Sequence, residues 1–315
     1  MLTLLSWSFA ILGCTESPAR ERAARRLEFA GARLERDQFS GEVLGVEFSD
    51  VPWSPRWWED LAQFTNLQSL VLVRNGLSDA ELGHLPDWPN LKRLVLTGNA
   101  ITNAGLRHIK KYVRLRELVL SFTQVTDCAL AELTAWPELE ELRLNGTQIT
   151  DRGLVQLVSC KRLRRLGLRQ TAITDEAASV MASLSTLEEL DLSDTQLRGK
   201  SLNQLAALSN LRRLWLNGIP LDDEAIAALV KCSQLAELGL ARTCISDRGV
   251  EPLGQLVHLA KLDVRGSRVS TTAMARWQKQ HPHCRLLYLV VVNPDENYPE
   301  PVKNLFPAPQ ARQFR

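Results

Sequence analysis

The sequence lacks the short motifs that carry most enzyme chemistry. It has no glycine-rich phosphate loop, no His-Glu-x-x-His zinc motif and no Gly-x-Ser-x-Gly nucleophile turn, which removes the usual sequence basis for each of those reaction classes. The five histidines are scattered. His281, His283 and Cys284 lie close together, but their spacing matches no established zinc pattern. We therefore predict a protein that is not an enzyme and has no catalytic residue, metal or cofactor.

The sequence also lacks an excess of one charge and a long apolar run. It has 38 Lys and Arg against 36 Asp and Glu, a formal net charge of +2, so the positive field typical of nucleic-acid binding is missing. Residues 2–12 are almost wholly apolar, but this stretch is too short to span a bilayer as a helix. No other stretch qualifies. We predict no nucleic-acid partner and no membrane-spanning helix.

What the chain does contain is a 24-residue repeat, present nine times without an insertion. Each copy starts with the pattern Leu-x-x-Leu-x-Leu. The copies start at Leu67, Leu91, Leu115, Leu139, Leu163, Leu187, Leu211, Leu235 and Leu259. A unit this short cannot bury its own apolar face and must pack on its neighbours, so the period predicts a solenoid.

The copy at 139–162 indicates what each unit forms. Leu142 and Leu144 have the two-residue spacing of one strand face. Thr150-Asp151 is typical of a helix N-cap, and Leu154 and Leu157 would share one face of a short helix. Because a helix is about 10 Å wide and strands lie about 4.8 Å apart, the stack must curve with its parallel sheet on the concave side.

The repeat resembles the leucine-rich repeat in its cysteine-containing, ribonuclease-inhibitor-like form. The resemblance covers about residues 43–290 and rests on these second halves: VTDCAL at 125–130, ITDRGL at 149–154, ITDEAA at 173–178 and ISDRGV at 245–250. It implies an α/β fold, a right-handed leucine-rich-repeat solenoid or horseshoe, with helices on the convex side. The ninth position departs from the familiar Asn after two copies. It reads Asn75, Asn99, Thr123, Thr147, Thr171, Thr195 and Thr243. We expect the Thr hydroxyl to bond to backbone and preserve the turn.

The segments outside the repeats at 67–282 predict two caps and a tail. In the N-terminal capping region, 15–66, we predict a helix from Pro18 to residue 30 that ends at Gly31, followed by a hairpin. Trp53, Trp57 and Trp58 would then plug the open end of the core. Residues 283–292 predict a closing strand, and the five prolines of 293–315 predict a disordered tail.

Residues 1–14 resemble a bacterial lipoprotein signal that ends in Ile11-Leu12-Gly13-Cys14. The resemblance implies cleavage before Cys14, a lipid on its thiol, and a place in the bacterial cell envelope. The start of the segment departs from the pattern because it contains no Lys or Arg. A signal peptide without lipid, or an apolar start on a cytoplasmic protein, remains the alternative.

Five cysteines remain after Cys14, an odd number that argues against a disulfide framework. Cys160 and Cys232 hold one repeat position three repeats apart, so they would lie about 14 Å apart even at strand spacing. A disulfide requires less than roughly 7 Å. We interpret Cys128, Cys160, Cys232, Cys244 and Cys284 as small buried core residues, a usage more typical of a reducing compartment.

Equivalent residues of successive repeats should stand side by side on the concave sheet. The third position reads Arg93, Glu117, Glu141, Arg165, Glu189, Arg213, Glu237 and Lys261. We interpret this alternation of sign as ion pairs between adjacent strands, which stabilise the sheet slightly and cancel one another's field.

The fifth and seventh positions predict the partner-binding surface. An apolar strip of Val71, Val95 and Val119 is followed by Arg143, Asp191, Trp215 and Asp263 in the fifth position, with Asn145, Arg169, Asn217 and Arg265 in the seventh. An exposed aromatic residue beside Arg and Asp is the usual composition of a binding hot spot. We expect the small Gly239 to leave room against the face of the Trp215 indole.

These observations favour a monomeric, non-enzymatic scaffold that binds a protein partner of unknown identity on its concave face. The membrane would be contacted only through the lipid on Cys14. One alternative is an intracellular adaptor or a substrate receptor of the ubiquitin-ligase type, although residues 15–42 leave room for only one helix where an F-box needs three. Another is carbohydrate or small-ligand binding, with a sugar ring stacked on Trp215.

Overall fold

The computed structural model describes residues 18–288. Cys14, the signal segment 1–14 and the tail 293–315 lie outside these residues. Within the described part, the chain forms one 12-stranded sheet whose strands follow one another in sequence order. β1 is antiparallel to β2, and every later pair is parallel. The sheet is open, with helices along its other face, and the predicted α/β horseshoe is confirmed.

The strands and helices have the following bounds. The strands are β1 Arg33–Arg36, β2 Val43–Ser49, β3 Ser69–Val73, β4 Arg93–Val95, β5 Glu117–Val119, β6 Glu141–Arg143, β7 Arg165–Gly167, β8 Glu189–Asp191, β9 Arg213–Trp215, β10 Glu237–Gly239, β11 Lys261–Asp263 and β12 Arg285–Leu287. The α-helices are α1 Pro18–Phe29, α2 Trp57–Leu61, α3 Asp79–Leu82, α4 Asn103–Ile109, α5 Asp127–Leu130, α6 Asp151–Leu154, α7 Ala178–Ser183, α8 Asp223–Ala227, α9 Asp247–Val250 and α10 Thr271–Gln280.

Much of the convex side is 3₁₀-helix rather than the α-helix that the leucine spacing predicts. The 3₁₀ segments are Ala131–Ala135, Val155–Ser159, Asp175–Ala177, Leu202–Ala207, Ala228–Lys231 and Glu251–Gln255. A 3₁₀-helix rises about 2.0 Å per residue against 1.5 Å in an α-helix. The tighter helix therefore crosses the convex side with fewer residues, which suits a repeat of only 24 residues.

The leucine columns form one continuous core between the sheet and the helices. In the fourth repeat, Leu142, Leu144 and Leu154 are all completely buried. Trp88 and Trp136 share one repeat position and are 0 % and 1 % exposed, so they fill the core rather than a ligand site. Within residues 18–288, no helix combines the length and the apolar character that crossing a bilayer requires.

The Ile-Thr-Asp motif has two functions. As predicted, Thr150 caps α6, and its side chain accepts a hydrogen bond from the Arg152 N–H. The Asp has a second role that the sequence did not predict, because it reaches into the next repeat. The carboxylate of Asp127 accepts hydrogen bonds from the Thr150 N–H at 2.8 Å and from its hydroxyl at 2.6 Å. Asp79, Asp151, Asp223 and Asp247 repeat this arrangement.

The ninth-position Thr residues preserve the turn as predicted. Each donates its hydroxyl to the carbonyl oxygen three residues earlier, as Thr123 does to Leu120 at 2.6 Å. Asn99 instead bonds into the preceding repeat, where it accepts hydrogen bonds from the N–H groups of Asn75 and Leu77. The Thr bond is local and the Asn bonds join two repeats.

Two aromatic groups and a helix close the N-terminal end of the core. Phe48 stacks on Trp57 with ring centroids 4.5 Å apart, and Trp53 lies 4.3 Å from Trp58. Helix α1 packs beside them and is held by an ion pair from Arg26 to the buried Asp60. At the other end β12 pairs with β11, and Leu286 packs against the core.

The cysteines are free thiols in the described structure, but the prediction that all five are buried was wrong. Cys160, Cys232 and Cys284 are buried, whereas Cys244 is half-buried and Cys128 is exposed. Cys128 is the second residue of α5, on the outer side of a convex helix, where its side chain meets solvent. Burial raises the pKa of Cys232 and Cys284 to about 11, so these thiols are poor nucleophiles.

Candidate binding surface on the concave sheet

The fifth-position residues of the central repeats stand side by side on four adjacent strands. Arg143 lies opposite Gly167, Gly167 opposite Asp191, and Asp191 opposite Trp215. The residue before each of them in its strand is a leucine that points into the core. These leucines are Leu142, Leu166, Leu190 and Leu214. The alternation of a β-strand thus presents the polar and aromatic side chains on the concave side.

The Trp215 side chain leans across the next strand, as the sequence predicts. A Cβ placed on Gly239 would lie 2.7 Å from Cδ1 of Trp215, so any larger residue would push the indole away. Trp215 is half-buried, and its indole N–H has no hydrogen-bond partner among the described residues. The five indole N–H groups of Trp53, Trp58, Trp88, Trp136 and Trp277 are instead buried. Trp215 therefore offers both a ring and a donor to the concave side.

Arg143 makes the same crossing three repeats earlier. A Cβ on Gly167 would lie 2.8 Å from Cδ of Arg143. The guanidinium bonds to Glu141 at 2.7 Å and crosses to Glu189, two strands away, at 3.4 Å. The cationic group is therefore tied down within the sheet.

The third-position ion pairs are confirmed. Arg165 bonds to Glu141 at 2.5 Å, Arg93 to Glu117 at 2.9 Å, and Arg213 to Glu189. Burial by itself raises the pKa of Glu141, but the hydrogen bonds from Arg143 and Arg165 outweigh it and hold that pKa below its ordinary value. The centre of the concave face is thus a fixed network of alternating charges.

The arginine at the seventh position does not join Trp215. Arg169 donates to Asp194 at 3.0 Å, and Arg242 donates to the same carboxylate at 2.9 Å. The predicted group of Trp215, Arg143, Arg169 and Asp191 is therefore only partly brought together. Asp191 is the charged member of this group that lies on the strand next to Trp215. The other two, Arg143 and Arg169, are held by the carboxylates of Glu189 and Asp194.

The amides predicted to bind a partner are engaged in the sheet. The Asn145 side-chain oxygen accepts from the Arg169 N–H at 2.9 Å, and that of Asn217 accepts from the Ala241 N–H at 2.9 Å. Asp263 and Arg265 pair with each other at 2.6 Å. These residues line the surface but have fewer groups free for a partner than the sequence indicates.

The valine strip is less accessible than predicted. Val71 and Val95 are only 7 % and 6 % exposed, and Val119 is half-buried. Valines on neighbouring strands lie about 4.8 Å apart and cover one another. The apolar area available at this end of the concave face is therefore small.

The structure adds one residue that sequence reasoning missed. Phe122 follows β5 at the rim of the concave face, is 54 % exposed, and has a backbone φ of +57°. Its ring lies over Gly146, where a Cβ would come within 2.4 Å of it. A bulky residue in the left-handed region is uncommon and costs about 1 kcal/mol or more. The signal in the sequence was the eighth repeat position, where Phe122 is followed by Gly146 in the next copy.

Comparison with known proteins supports the architecture. Family models described as leucine rich repeat match residues 65–125 and 138–158. No curated protein sequence matches the chain. Among solved structures, the Arabidopsis receptor kinase HAESA, in complex with the peptide hormone IDA and the co-receptor SERK1, aligns at 15 % identity with a TM-score of 0.53. That alignment covers 80 % of this chain and 46 % of HAESA.

Two internalins of Listeria monocytogenes also align. Internalin InlF is 16 % identical, with 89 % of this chain and 99 % of that one covered and a TM-score of 0.47. Internalin C2 is 20 % identical, with 88 % and 95 % covered and a TM-score of 0.49.

The fold and the matched segments define the class of architecture: this chain folds as a leucine-rich repeat solenoid, and leucine rich repeat models match two of its segments. Leucine-rich repeat proteins are in general non-enzymatic scaffolds that bind other proteins. Among residues 18–288, no three His, Cys, Asp or Glu side chains form a group that could hold a metal ion.

Proposed function

We propose that this leucine-rich repeat protein binds a protein partner on its concave face, with Trp215 as the main anchor and Phe122 as a second anchor at the rim. The observation that carries the proposal is the half-buried Trp215 indole, which lies over Gly239 and whose N–H has no partner within residues 18–288. Aromatic side chains on a rigid sheet bury a large area at little entropic cost, which is why they dominate binding hot spots.

The charges around the two anchors favour specificity over raw affinity. Arg143, Arg169 and Arg213 are already paired with carboxylates of the same sheet, so a partner meets a fixed pattern of signs rather than a strong field. HAESA, which shares the fold, has a peptide and a protein as partners in its complex. We carry over only the class of partner, a polypeptide.

The test is affinity capture from the source cell with five forms of the chain: the wild type, three single variants and one double variant. We expect Trp215→Ala and Phe122→Ala to lose at least about tenfold of the affinity for the captured protein, the effect of truncating a hot spot. Phe29→Ala, an exposed aromatic residue on the N-terminal cap, is the matched control and should bind like the wild type. Unchanged binding by the Trp215→Ala/Phe122→Ala double variant would contradict the proposal.

We further propose that the chain is held at a bacterial envelope by a lipid on Cys14. The sequence around Cys14 supports this proposal. Intact mass and membrane fractionation, beside Cys14→Ala, test it. We expect a wild-type mass that starts at Cys14 and includes lipid, in the membrane fraction, and an unprocessed or soluble variant. An unprocessed, soluble wild type would favour an intracellular adaptor, in keeping with the free thiols.

Carbohydrate binding is the second candidate function. The observation in its favour is the half-buried Trp215 ring, which lies on the strand next to Asp191 and shares the space over Gly239 with the amide of Asn217. A sugar could stack on the ring and bond to the carboxylate. Glycan binding that Trp215→Ala abolishes while the fold persists would favour this candidate over a protein partner.

A further inference from the structure

Two phenylalanines of the N-terminal cap are almost fully exposed. Phe29 is 96 % exposed and Phe39 is 98 % exposed, whereas Phe48 and Phe64 in the same region are 0 % and 1 % exposed. A single exposed apolar side chain is ordinary on a protein surface, so the two phenylalanines carry an argument only together with the residues between them. Phe122, the other exposed phenylalanine of the described residues, keeps nearly half of its surface covered.

The two side chains flank one helix. Phe29 is the last residue of α1, and the chain then turns at Gly31 and returns as β1. Phe39 lies in the turn between β1 and β2, which an ion pair between Arg20 and Glu42 at 3.7 Å places beside the start of α1. The 12 residues of α1 make the helix about 18 Å long at 1.5 Å per residue, with Phe29 at its end and the turn that carries Phe39 beside its start.

The side of α1 between them is basic. Its inner side, Ala23, Ala24 and Leu27, packs into the core. The opposite side exposes Arg22, Arg25 and Arg26, at the three- and four-residue spacing that continues to Phe29. The α1 docking face is defined here as Arg22, Arg25, Arg26, Phe29 and Phe39.

The acidic residues of α1 pair with only one cation of this face, because Glu21 accepts from Arg25 at 3.1 Å. Glu21 and Glu28 both lie near Arg36 of β1, at 3.5 Å and 3.9 Å. Arg22 has no ion pair within residues 18–288. Arg26 is paired with Asp60, but that carboxylate is buried beneath the helix.

A cleft of about 610 Å³ opens beside the same face. Phe29 and Trp57 form its apolar side. Its polar side holds Arg25, Arg56 and Ser54, together with the carboxylates of Glu59 and Asp60. Arg56, like Arg22, has no ion pair among the described residues. Guanidinium groups next to aromatic rings match the boundary between phosphate headgroups and acyl chains.

We propose that the α1 docking face lies on an anionic phospholipid surface, with Phe29 and Phe39 entering the headgroup region. This inference rests on the proposed lipid anchor, because only residues 15–17 separate Cys14 from α1. Four peptide steps span at most about 14 Å, so a lipid on Cys14 holds α1 at the bilayer. If the N-terminal cap contacts the membrane in this way, the repeats extend away from the bilayer and the concave face remains accessible to a partner.

The test replaces single phenylalanines of the full chain with the photo-reactive amino acid benzoylphenylalanine and irradiates bacterial membranes. Positions 29 and 39 should form adducts with the mass of a phospholipid, and position 122, the matched exposed control, should form none. Protein adducts at positions 29 and 39 would mean that a protein covers the face and would overturn the proposal. Lipid adducts at all three positions would overturn it too.

The same digest separates the two proposals through the mass of the Cys14 peptide. An acylated Cys14 without lipid adducts at positions 29 and 39 overturns membrane docking and leaves the anchor intact. The Cys14→Ala variant, which carries no lipid, is sedimented with vesicles of phosphatidylcholine, with and without phosphatidylglycerol. Adding Arg22→Glu and Phe29→Ser to this variant should lower its binding to the anionic vesicles by about tenfold. Equal binding would overturn the docking face whatever the state of Cys14.

Discussion

The first two repeats and the sixth and seventh repeats are joined differently, although the period is the same. At the first junction, Asn99 reaches back to Asn75 and Leu77, and Asp79 reaches forward to Thr102. At the later junction, Ile219 occupies the position that Asn99 occupies at the first, and its side chain has no polar group to reach back to the sixth repeat. The difference shows that the leucine columns set the architecture, while two polar columns decide how firmly neighbouring repeats are joined.

The thirteenth position explains the later junction. It carries Asp in most repeats, but Gly199 in the sixth, so among the described residues no carboxylate of the preceding repeat reaches the N-cap of α8. Asp222 takes over as a cap within its own repeat and accepts from the Ala225 N–H at 2.9 Å. The Asp222 N–H has no hydrogen-bond partner among the described residues. In a quasi-one-dimensional fold, such a junction is where local opening starts.

The largest effect should come from removing the Asn that joins the first two repeats. Asn99 is 3 % exposed and donates to the carbonyls of Leu72 and Leu96 while accepting from two N–H groups. Asn99→Ala leaves buried donors unsatisfied, so we expect the free energy of unfolding to fall by about 3 kcal/mol or more. Urea denaturation measures it. Thr123→Val loses one hydrogen bond within a single repeat, so its free energy of unfolding should fall by only about 1 kcal/mol. Equal losses in the two variants would refute the distinction between bonds within one repeat and bonds that join two repeats.

A smaller loss is expected from breaking one Asp bridge. Asp127→Ala removes hydrogen bonds of 2.8 Å and 2.6 Å to Thr150, so we expect the free energy of unfolding to fall by about 2 kcal/mol. Asp127→Asn is the conservative control, because Asn103 already bonds to Thr126 in this way at 2.9 Å. If Asp127→Asn destabilised the chain as much as Asp127→Ala, charge rather than hydrogen bonding would carry the effect.

Amide hydrogen exchange should locate the weaker junction directly. We expect the Asp222 amide to exchange at least about tenfold faster than those of Thr150 and Ser246, which donate to Asp127 and Asp223. Asp223→Ala should raise exchange at Ser246 to the rate of Asp222. Equal protection at Asp222 and Thr150 in the wild type would mean that the missing carboxylate has no effect on opening.

The smallest effect concerns acid. Burial by itself raises the pKa of Asp223, but the hydrogen bonds from Ser246 and the Gly249 N–H, with Arg248 nearby, hold it below its ordinary value. A lowered folded-state pKa adds stability above the unfolded pKa of about 4 and loses it as the pH falls through the folded-state value. We expect Asp223→Asn to lose less stability than the wild type between neutral pH and about pH 3, measured by thermal unfolding. An identical loss of stability in Asp223→Asn and the wild type would refute a contribution of the Asp223 carboxylate to acid sensitivity.

The concave site was predicted only in part, for a physical reason. Strand alternation and the 24-residue period placed Trp215 beside Gly239 correctly, because both are neighbours in register. The period could not show that Arg143 would reach Glu189 or that Arg169 would bind Asp194 rather than Asp191. Long side chains choose their partners by rotamer and by the space over a neighbouring glycine, which depend on three-dimensional packing.

The exposure of the cap was equally out of reach. The sequence indicated a helix from Pro18 and a hairpin after it, but not that Phe29 and Phe39 would remain bare while Phe48 was buried. All three are phenylalanines within 20 residues of one another. Their burial depends on the direction in which each side chain leaves its element.

The sequence alone thus determined the repeat, the parallel sheet, the leucine core and the position of each column, because a fixed period of apolar residues admits one way of stacking. Tertiary structure alone decided which columns join repeats and which face solvent. It directed Asp127 into the next repeat, left the Asp222 amide without a partner in the described part of the chain, and placed Phe122 over Gly146. Those outcomes depend on distances between residues of different repeats, which exist only once the chain has coiled.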